Sequence, residues 1–365
     1  MLILKSFKVV NFKNFKEINL EQLNNLTTLI GSNGVGKSNF LSIIDFISSA
    51  FHDGIEVYFS NKGIKFQDCI HQWNLENKIS IVLRFEDKST REDYSYQFTL
   101  EYDIKSGFNI IDEQFSNNND GTHREYENQG LTSLNLKNSF DLSEPEQRVK
   151  NFLSQVVGYS FYNTSLFNSS LQFVNKSNNV YLLPNGENMS SLLYLLKSKY
   201  PVSYKRITDV LKLVIKPFED FYFIEEGHNT VLKFKMQGLN YPVSIKSLSD
   251  GTIRFIILSL LLNLPINLRP NLVLLEEPEV ALHPVAVNIL GDLIESYSAD
   301  SQIMIATQSP YLLDRLSISS IYILSINNKN ETEVQHIDKE KLKDWLKKYS
   351  LSEIWLMSIF GGGPL

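Results

Sequence analysis

The segment Gly31-Ser32-Asn33-Gly34-Val35-Gly36-Lys37-Ser38 fits the pattern GxxxxGK[ST] completely. An apolar β-type run precedes it and a helical pattern follows, so the glycines stand where a strand turns into a helix, as the chemistry of the pattern requires. Glycines let successive backbone N–H groups turn inward around phosphate oxygens, and a helix N-terminus adds positive field at the same place. Ser32, Asn33, Gly34, Val35 and Gly36, followed by Lys37, Ser38 and Asn39, are therefore expected to hold ATP with Mg²⁺. Lys37 should reach the β- and γ-phosphates, and the Ser38 hydroxyl should sit on the metal.

A second cluster is acidic. In Leu272-Val273-Leu274-Leu275-Glu276-Glu277-Pro278-Glu279, an apolar run suits a buried central strand, and carboxylates emerge at its C-terminal end. Open α/β sheets place their ligands at that end. Glu276 stands where a metal-holding aspartate is more usual and is expected to hold Mg²⁺ through water. Strand alternation points Glu277 the other way, which makes it the expected general base for the attacking water. A third segment, Ile303-Met304-Ile305-Ala306-Thr307-Gln308-Ser309-Pro310, is an apolar strand that ends in polar residues. Gln308 can orient a water and donate to a γ-phosphate, but it cannot take a proton. Proton abstraction is thereby left to Glu277, and slow turnover is expected.

Ser247-Leu248-Ser249-Asp250-Gly251-Thr252 resembles the LSGGQ-type signature of ABC ATPases. Taken singly it is a helix N-cap. Ser249 and the Gly251 backbone at a helix start would also make a second anion site. The order carries the resemblance, because the segment lies after the phosphate loop and just ahead of the acidic strand, as in ABC ATPases and not in other P-loop classes. Those proteins usually carry histidine at the place of Gln308, and this chain departs from them there.

These segments need a frame. Residues 3–10 alternate, 11–15 bend and 26–30 form a short β run, with a helical pattern over 37–47 and strands over 79–85 and 94–102. Residues 117–130, rich in Asn, Asp and Gly, read as an exposed loop. Helical patterning returns over 145–157, 189–196 and 204–215, and β runs over 221–243. From there helix and strand alternate: helix 251–263, strand 272–275, helix 285–296, strand 302–306. Short apolar strands between helices indicate a parallel sheet covered on both faces. The expected fold is α/β, a P-loop NTPase of ABC type, with a mixed and parallel sheet core, an antiparallel β subdomain and a helical lobe. The expected division is an N-terminal ATPase lobe over 1–139, the helical lobe over 140–216 and a C-terminal ATPase lobe over 217–365.

Composition narrows the class. Of 365 residues, 43% are hydrophobic and 21% charged, ordinary for a globular protein, and the net charge of −6 gives no global pull toward nucleic acid. The one cysteine, Cys69, excludes an internal disulfide and a cysteine zinc site and fits a reducing cytoplasm. The apolar stretch 255–266 is shorter than the ~20 residues a membrane-spanning helix needs. No sustained heptads or internal repeats are present, so a long coiled-coil arm is not expected.

The four motifs, together with Glu-Pro-Glu-x-x-Leu-His-Pro over residues 277–284, resemble the OLD-like and AAA_21-type ATPases, relatives of RecF, SMC and double-strand-break-repair ATPases. The likeness begins at Val10-Asn11-Phe12-Lys13-Asn14-Phe15. It continues through Ser160-Phe161-Tyr162-Asn163-Thr164-Ser165 and Leu183-Pro184-Asn185-Gly186-Glu187-Asn188, and ends with Leu351-Ser352-Glu353-Ile354-Trp355 and Gly361-Gly362-Gly363-Pro364.

The resemblance implies a head that sandwiches two ATP molecules between two copies of the chain, with Ser249 of one copy facing the γ-phosphate held by Lys37 of the other. It implies that His283 lies at that seam, that Lys13 or Asn14 touches the nucleotide, and that a glutamine contacts Mg²⁺, for which both Gln97 and Gln155 stand open. His283 also reads as an ordinary capping histidine. Arg254 reads either as pairing an acid across the seam or as a solvated surface arginine. The metal-nuclease TOPRIM domain of OLD proteins is not expected, since too few residues follow the switch segment. The expected function is an ATP-controlled regulator of a separately encoded effector, a nuclease, in bacterial defence against phage. The alternative is a RecF-like ATPase that acts directly on DNA. A transporter's nucleotide subunit is disfavoured by the long separation of phosphate loop and signature and by the lack of a membrane segment.

Overall fold

The alternating residues at the start of the chain form a strand, β1 (Leu2–Phe12), which turns at Lys13 and Asn14 into the antiparallel β2 (Phe15–Leu20). The fully buried β3 (Leu26–Ile30) leads into α1 (Lys37–His52) and α2 (Ile55–Lys62). Strands β4 (Ile79–Asp87), β5 (Glu92–Asp103), β6 (Gly107–Asn117) and β7 (His123–Glu125) follow, then α3 (Asn135–Asn138) and α4 (Glu144–Leu153). The computed structural model describes residues 2–127, 132–160, 173–174, 181–226 and 229–359. Residues 128–130 of the expected loop, 161–165 and 361–364 of the resemblance lie outside them.

An antiparallel sheet in the order β2-β1-β4-β5-β6-β7 is the frame of this part. Every second residue is buried along β4 and from Tyr94 to Leu100 of β5, the mark of a sheet with one covered face. Helix α1 provides cover: Phe40 meets Phe7 edge-on at 5.2 Å between ring centroids, and Phe51 meets Tyr96 at 5.5 Å. Helix α4 adds Phe152 against Phe85 at 5.4 Å. Its start is fixed by a capping box between Ser143 and Glu146. It ends at Leu153, short of the expected 157, because Val156 and Val157 continue as a strand, where β-branched residues fit better than in a helix.

The chain continues through β8 (Val156–Ser160), β9 (Phe173–Val174), α5 (Met189–Lys199), α6 (Pro201–Val214), β10 (Phe218–Glu226), β11 (Asn229–Met236) and β12 (Val243–Ser244). Then come α7 (Asp250–Leu262), β13 (Leu272–Glu276), α8 (Pro284–Ser298), β14 (Gln302–Ala306) and α9 (Pro310–Leu313). Strands β13 and β14 pair in parallel from Leu272↔Gln302 to Glu276↔Ala306, and β8 lies on the other side of β13. Nearly all of their side chains are buried, which requires layers on both faces. Helix α7 is buried from Ile253 to Leu262, a core helix; among the described residues no helix is long and apolar enough to cross a membrane. β9, β10, β11 and β12 form a separate antiparallel sheet.

The closing segment has β15 (Ile321–Ile326), β16 (Thr332–His336), α10 (Lys339–Leu342) and α11 (Leu351–Leu356). β15 runs parallel to β3 and antiparallel to β16. Contacts divide the chain into two units. One holds the described residues up to 156 with 319–345 and 354–359, and the other holds those of 157–318 with 346–353. The architecture is the mixed α/β type expected, with parallel pairs beside antiparallel sheets. β6, α2 and the β15–β16 pair were not legible as elements, and the expected exposed loop over 117–130 instead holds the buried Asn117 and β7, which pairs with β6. Residues 140–216 carry α4, α5 and α6 but also β8 and β9.

Candidate functional site

In the first unit, the loop between β3 and α1 is shaped by backbone that only glycine adopts freely. Gly34 has φ 79° and Gly36 has φ 107°. A Cβ on Gly31 would lie 2.6 Å from the Leu324 carbonyl oxygen, so glycine lets β3 leave beside β15. Gly36 is the N-cap of α1, which has no side-chain cap and no acidic residue in its first turn. The leading N–H groups of α1 are therefore not taken by a capping side chain, an arrangement that can receive an anion, and Asn33, Gly34 and Ser38 are exposed around them. Lys37 is buried (6% exposed) and folds its ammonium across the loop, donating to the carbonyls of Gly31 at 2.8 Å and Ser32 at 2.9 Å.

A brace stands behind the loop. The Asn14 amide donates to the Thr332 hydroxyl, and its carbonyl oxygen accepts from Asn39 at 2.8 Å. The Thr332 hydroxyl donates to the Val35 carbonyl at 2.6 Å, and the Thr332 N–H donates to the Asn14 carbonyl at 3.0 Å. Asn14 is thus engaged in holding the loop. Lys13, at φ 50°, donates to the Ser42 hydroxyl on α1 at 2.9 Å, and its carbonyl lies 2.8 Å from His71 Nδ1.

In the second unit, Glu276 is the half-buried last residue of β13. Glu277 leaves the strand in a left-handed conformation, φ 43°, and its N–H donates to the Ala306 carbonyl at 2.8 Å. A bulky residue held there costs of order 1 kcal/mol or more, the kind of strain that collects at working sites. Its Oε1 accepts from the Gln308 side-chain amide at 2.7 Å. Glu279, which the sequence reading did not single out, turns inward. Its Oε1 accepts from the Thr307 hydroxyl at 2.5 Å and the Gln308 N–H at 3.3 Å, while Oε2 is buried with no hydrogen-bond partner among the described residues. Burial pushes the Glu279 carboxyl above the usual carboxylate range; bonds from Thr307 and Gln308 oppose this, and the Glu277 charge adds to it.

Ser249 caps α7, accepting from the Thr252 N–H at 3.2 Å. Gly251 fits closely: a Cβ there would meet the Ala281 carbonyl oxygen at 2.3 Å. Arg254 is not a solvated surface arginine. It is 4% exposed and donates to the Val280 carbonyl at 2.6 Å, tying α7 to the loop after the acids. His283 is exposed and caps α8, its Nδ1 accepting from the Val285 N–H at 3.3 Å. The Gln97 amide is engaged with Asp112 and Gln114 across the β5–β6 pair, and Gln155 is exposed after α4. Asn188 bridges Leu183 N–H and the Tyr181 carbonyl ahead of α5, and Ser352 fastens α11 to Asp314.

Within the first unit, then, the structure gathers Ser32 to Asn39 with Lys13, Asn14 and the unforeseen Thr332. Within the second it gathers Glu277 and Gln308 with the unforeseen Glu279 and Thr307, and Ser249 and Gly251 with the loop that precedes His283. Among the described residues no group of three or more His, Cys, Asp or Glu could hold a metal ion.

Comparisons with known proteins bear on the family and the fold. The AAA_21 family profile, described as AAA domain, putative AbiEii toxin, Type IV TA system, matches residues 26–314. No curated protein matches the sequence significantly. Similar solved structures include the SmcHead bound to the C-winged helix domain of ScpA, with TM-score 0.58, 14% identity, and 93% of this chain and 99% of that one covered. The SMC head domain from Thermotoga maritima has TM-score 0.50 and 15% identity, with 92% and 99% covered. The Smc head domain with an extended coiled coil bound to the C-terminal domain of ScpA, from Pyrococcus furiosus, has TM-score 0.58 and 12% identity, with 95% and 99% covered. At such identities the likeness concerns the fold, that of a P-loop ATPase head. With a profile match over most of its length, the chain belongs to the AAA_21 family of AAA-domain proteins.

Proposed function

We propose that the chain is an ATPase that binds ATP with Mg²⁺, hydrolyses it slowly, and pairs with a second copy around the nucleotide to control a separately encoded effector. The observation that carries this reading is the phosphate loop, where Gly34 and Gly36 at positive φ open into α1 with no capping side chain and no acid. Lys37 would exchange its loop carbonyls for β- and γ-phosphate oxygens. Mg²⁺, held by Ser38 and through water by Glu276, would neutralise charge on those phosphates. Glu277 would take the proton of the attacking water as the water oxygen bonds the γ-phosphorus and the bridging bond to the β-phosphate breaks. Gln308 would orient that water but carry no proton, which accounts for slow turnover.

Pairing draws on the likeness of residues 247–252 to the ABC signature and on the exposure of Ser249 at the start of α7, whose hydroxyl would leave the Thr252 N–H for the γ-phosphate held by a second copy. His283, at the start of α8, would lie at the seam. Control of a separate effector, a nuclease in antiphage defence, follows from the OLD-like resemblance of the motifs, and the family description, which names a putative AbiEii toxin and a Type IV TA system, goes with a defence role. A cytoplasmic location goes with ATP as substrate. A second reading, RecF-like action on DNA, draws on the exposed Lys199, Arg206, Lys212 and Lys216 around α6. ATP-dependent retention of a DNA duplex that weakens as salt rises would favour it.

Titration of Mg²⁺–ATP into wild type and Lys37→Ala tests the central reading. Binding should be weakened at least about 100-fold by the substitution, of the order expected for a charge-assisted phosphate contact. Equal binding by both proteins would end it.

A further inference from the structure

We propose that Glu279 is the positioning residue of the switch segment, one of its carboxyl oxygens fixing Thr307 and Gln308 so that the Gln308 amide meets Glu277. The catalytic consequence rests on the ATPase reading above; the tether itself does not.

Regular pairing of β13 with β14 stops at Glu276↔Ala306, and the Glu277 N–H makes one last bond back to the Ala306 carbonyl. Beyond that point the side chain of residue 308 must be aimed by something else. Glu279 Oε1 takes both the Thr307 hydroxyl and the Gln308 N–H. Two consecutive residues, one by side chain and one by backbone, are thus pinned to one atom. The Thr307 hydroxyl in turn accepts from the Ser309 N–H at 3.0 Å, so the pin extends along the segment. Pro278 and the turn in which the Val280 N–H donates to the Glu277 carbonyl at 3.2 Å set the carboxyl relative to Glu277.

Stability alone does not explain this arrangement. A carboxyl group is costly to bury, and its Oε2 is left buried with no partner among the described residues. The pin fixes the backbone from which the Gln308 side chain starts, and the Glu277 carboxylate then selects the amide's donating end. An amide has one donating and one accepting end, and a half-turn about its last bond would set a carbonyl oxygen against the Glu277 carboxylate.

Hydrogen exchange of the Gln308 and Ser309 backbone amides reads the tether without turnover, while kcat and the ATP Kd read its consequence. In Glu279→Ala those amides should exchange about tenfold faster. The same variant should lose about 10- to 100-fold in kcat with its ATP Kd within about twofold of wild type. Glu279→Gln keeps an acceptor at Oε1 and should restore both readouts, and Thr307→Val, which removes one bond without a cavity, should fall between. Unchanged exchange in Glu279→Ala and Thr307→Val would overturn the proposal, as would faster exchange with unchanged kcat in an active enzyme. A wild type that hydrolyses no ATP while Glu279→Ala loosens the segment would retain the tether and remove the ATPase reading instead.

Discussion

Gln308 donates its side-chain amide to the Glu277 carboxylate at 2.7 Å, across the gap left where β13 and β14 stop pairing. A residue that cannot titrate is thus held against the residue assigned to take a proton. Gln308→Ala should lower kcat about 100-fold, the usual worth of an orienting or donating group, with little change in ATP affinity. Steady-state phosphate release alongside a binding titration checks this, and an unaltered kcat would show the contact to be idle.

Gly36→Ala should cripple nucleotide binding. The backbone there has φ 107°, and the added methyl would lie 2.4 Å from the Asn14 amide nitrogen. Relaxing both the conformation and the clash should cost about 1–3 kcal/mol. A fall in ATP affinity of at least about tenfold, read by calorimetry, is expected.

Thr332→Val tests the brace behind the loop. It keeps the shape but removes the hydroxyl that accepts from Asn14 and donates to the Val35 carbonyl. Leaving those buried groups unpaired should cost about 1–3 kcal/mol in denaturant unfolding and weaken ATP binding, although Thr332 itself touches no phosphate in this account.

Glu279 makes stability depend on pH in a direction opposite to an ordinary salt-bridged acid. Its folded carboxyl sits above the unfolded value of about 4.3, so the folded state holds a proton that the unfolded chain has lost. Stability from this group is complete below the unfolded value and is lost as pH rises through the folded one. Glu279→Gln removes the dependence. Its stability relative to wild type should therefore climb as pH is raised above about 4.3. A difference that stays flat with pH would contradict the raised value.

The sequence yielded what is determined locally. The phosphate loop and α1 follow from glycines and a lysine within one turn of each other, and β3, β13 and β14 from short apolar runs. The brace was hidden because Asn14 and Thr332 stand 318 residues apart, and nothing around Thr332 carries a pattern. Arg254 left both readings open because arginines are almost never fully buried unless paired, and its partner is a backbone carbonyl no motif announces. Glu279 stood in plain view beside Glu277, yet strand alternation cannot foresee the left-handed turn at Glu277 that sends it inward. β15 is a short apolar run that periodicity alone does not tell from a buried helix segment, and β16 is mostly polar.

The most direct test is sedimentation of Glu277→Gln with and without saturating Mg²⁺–ATP, together with its turnover. The variant should bind ATP, hydrolyse it at least about 100-fold more slowly than wild type and sediment as a dimer only with nucleotide. A variant that hydrolyses at the wild-type rate, or stays monomeric with ATP bound, would contradict the account.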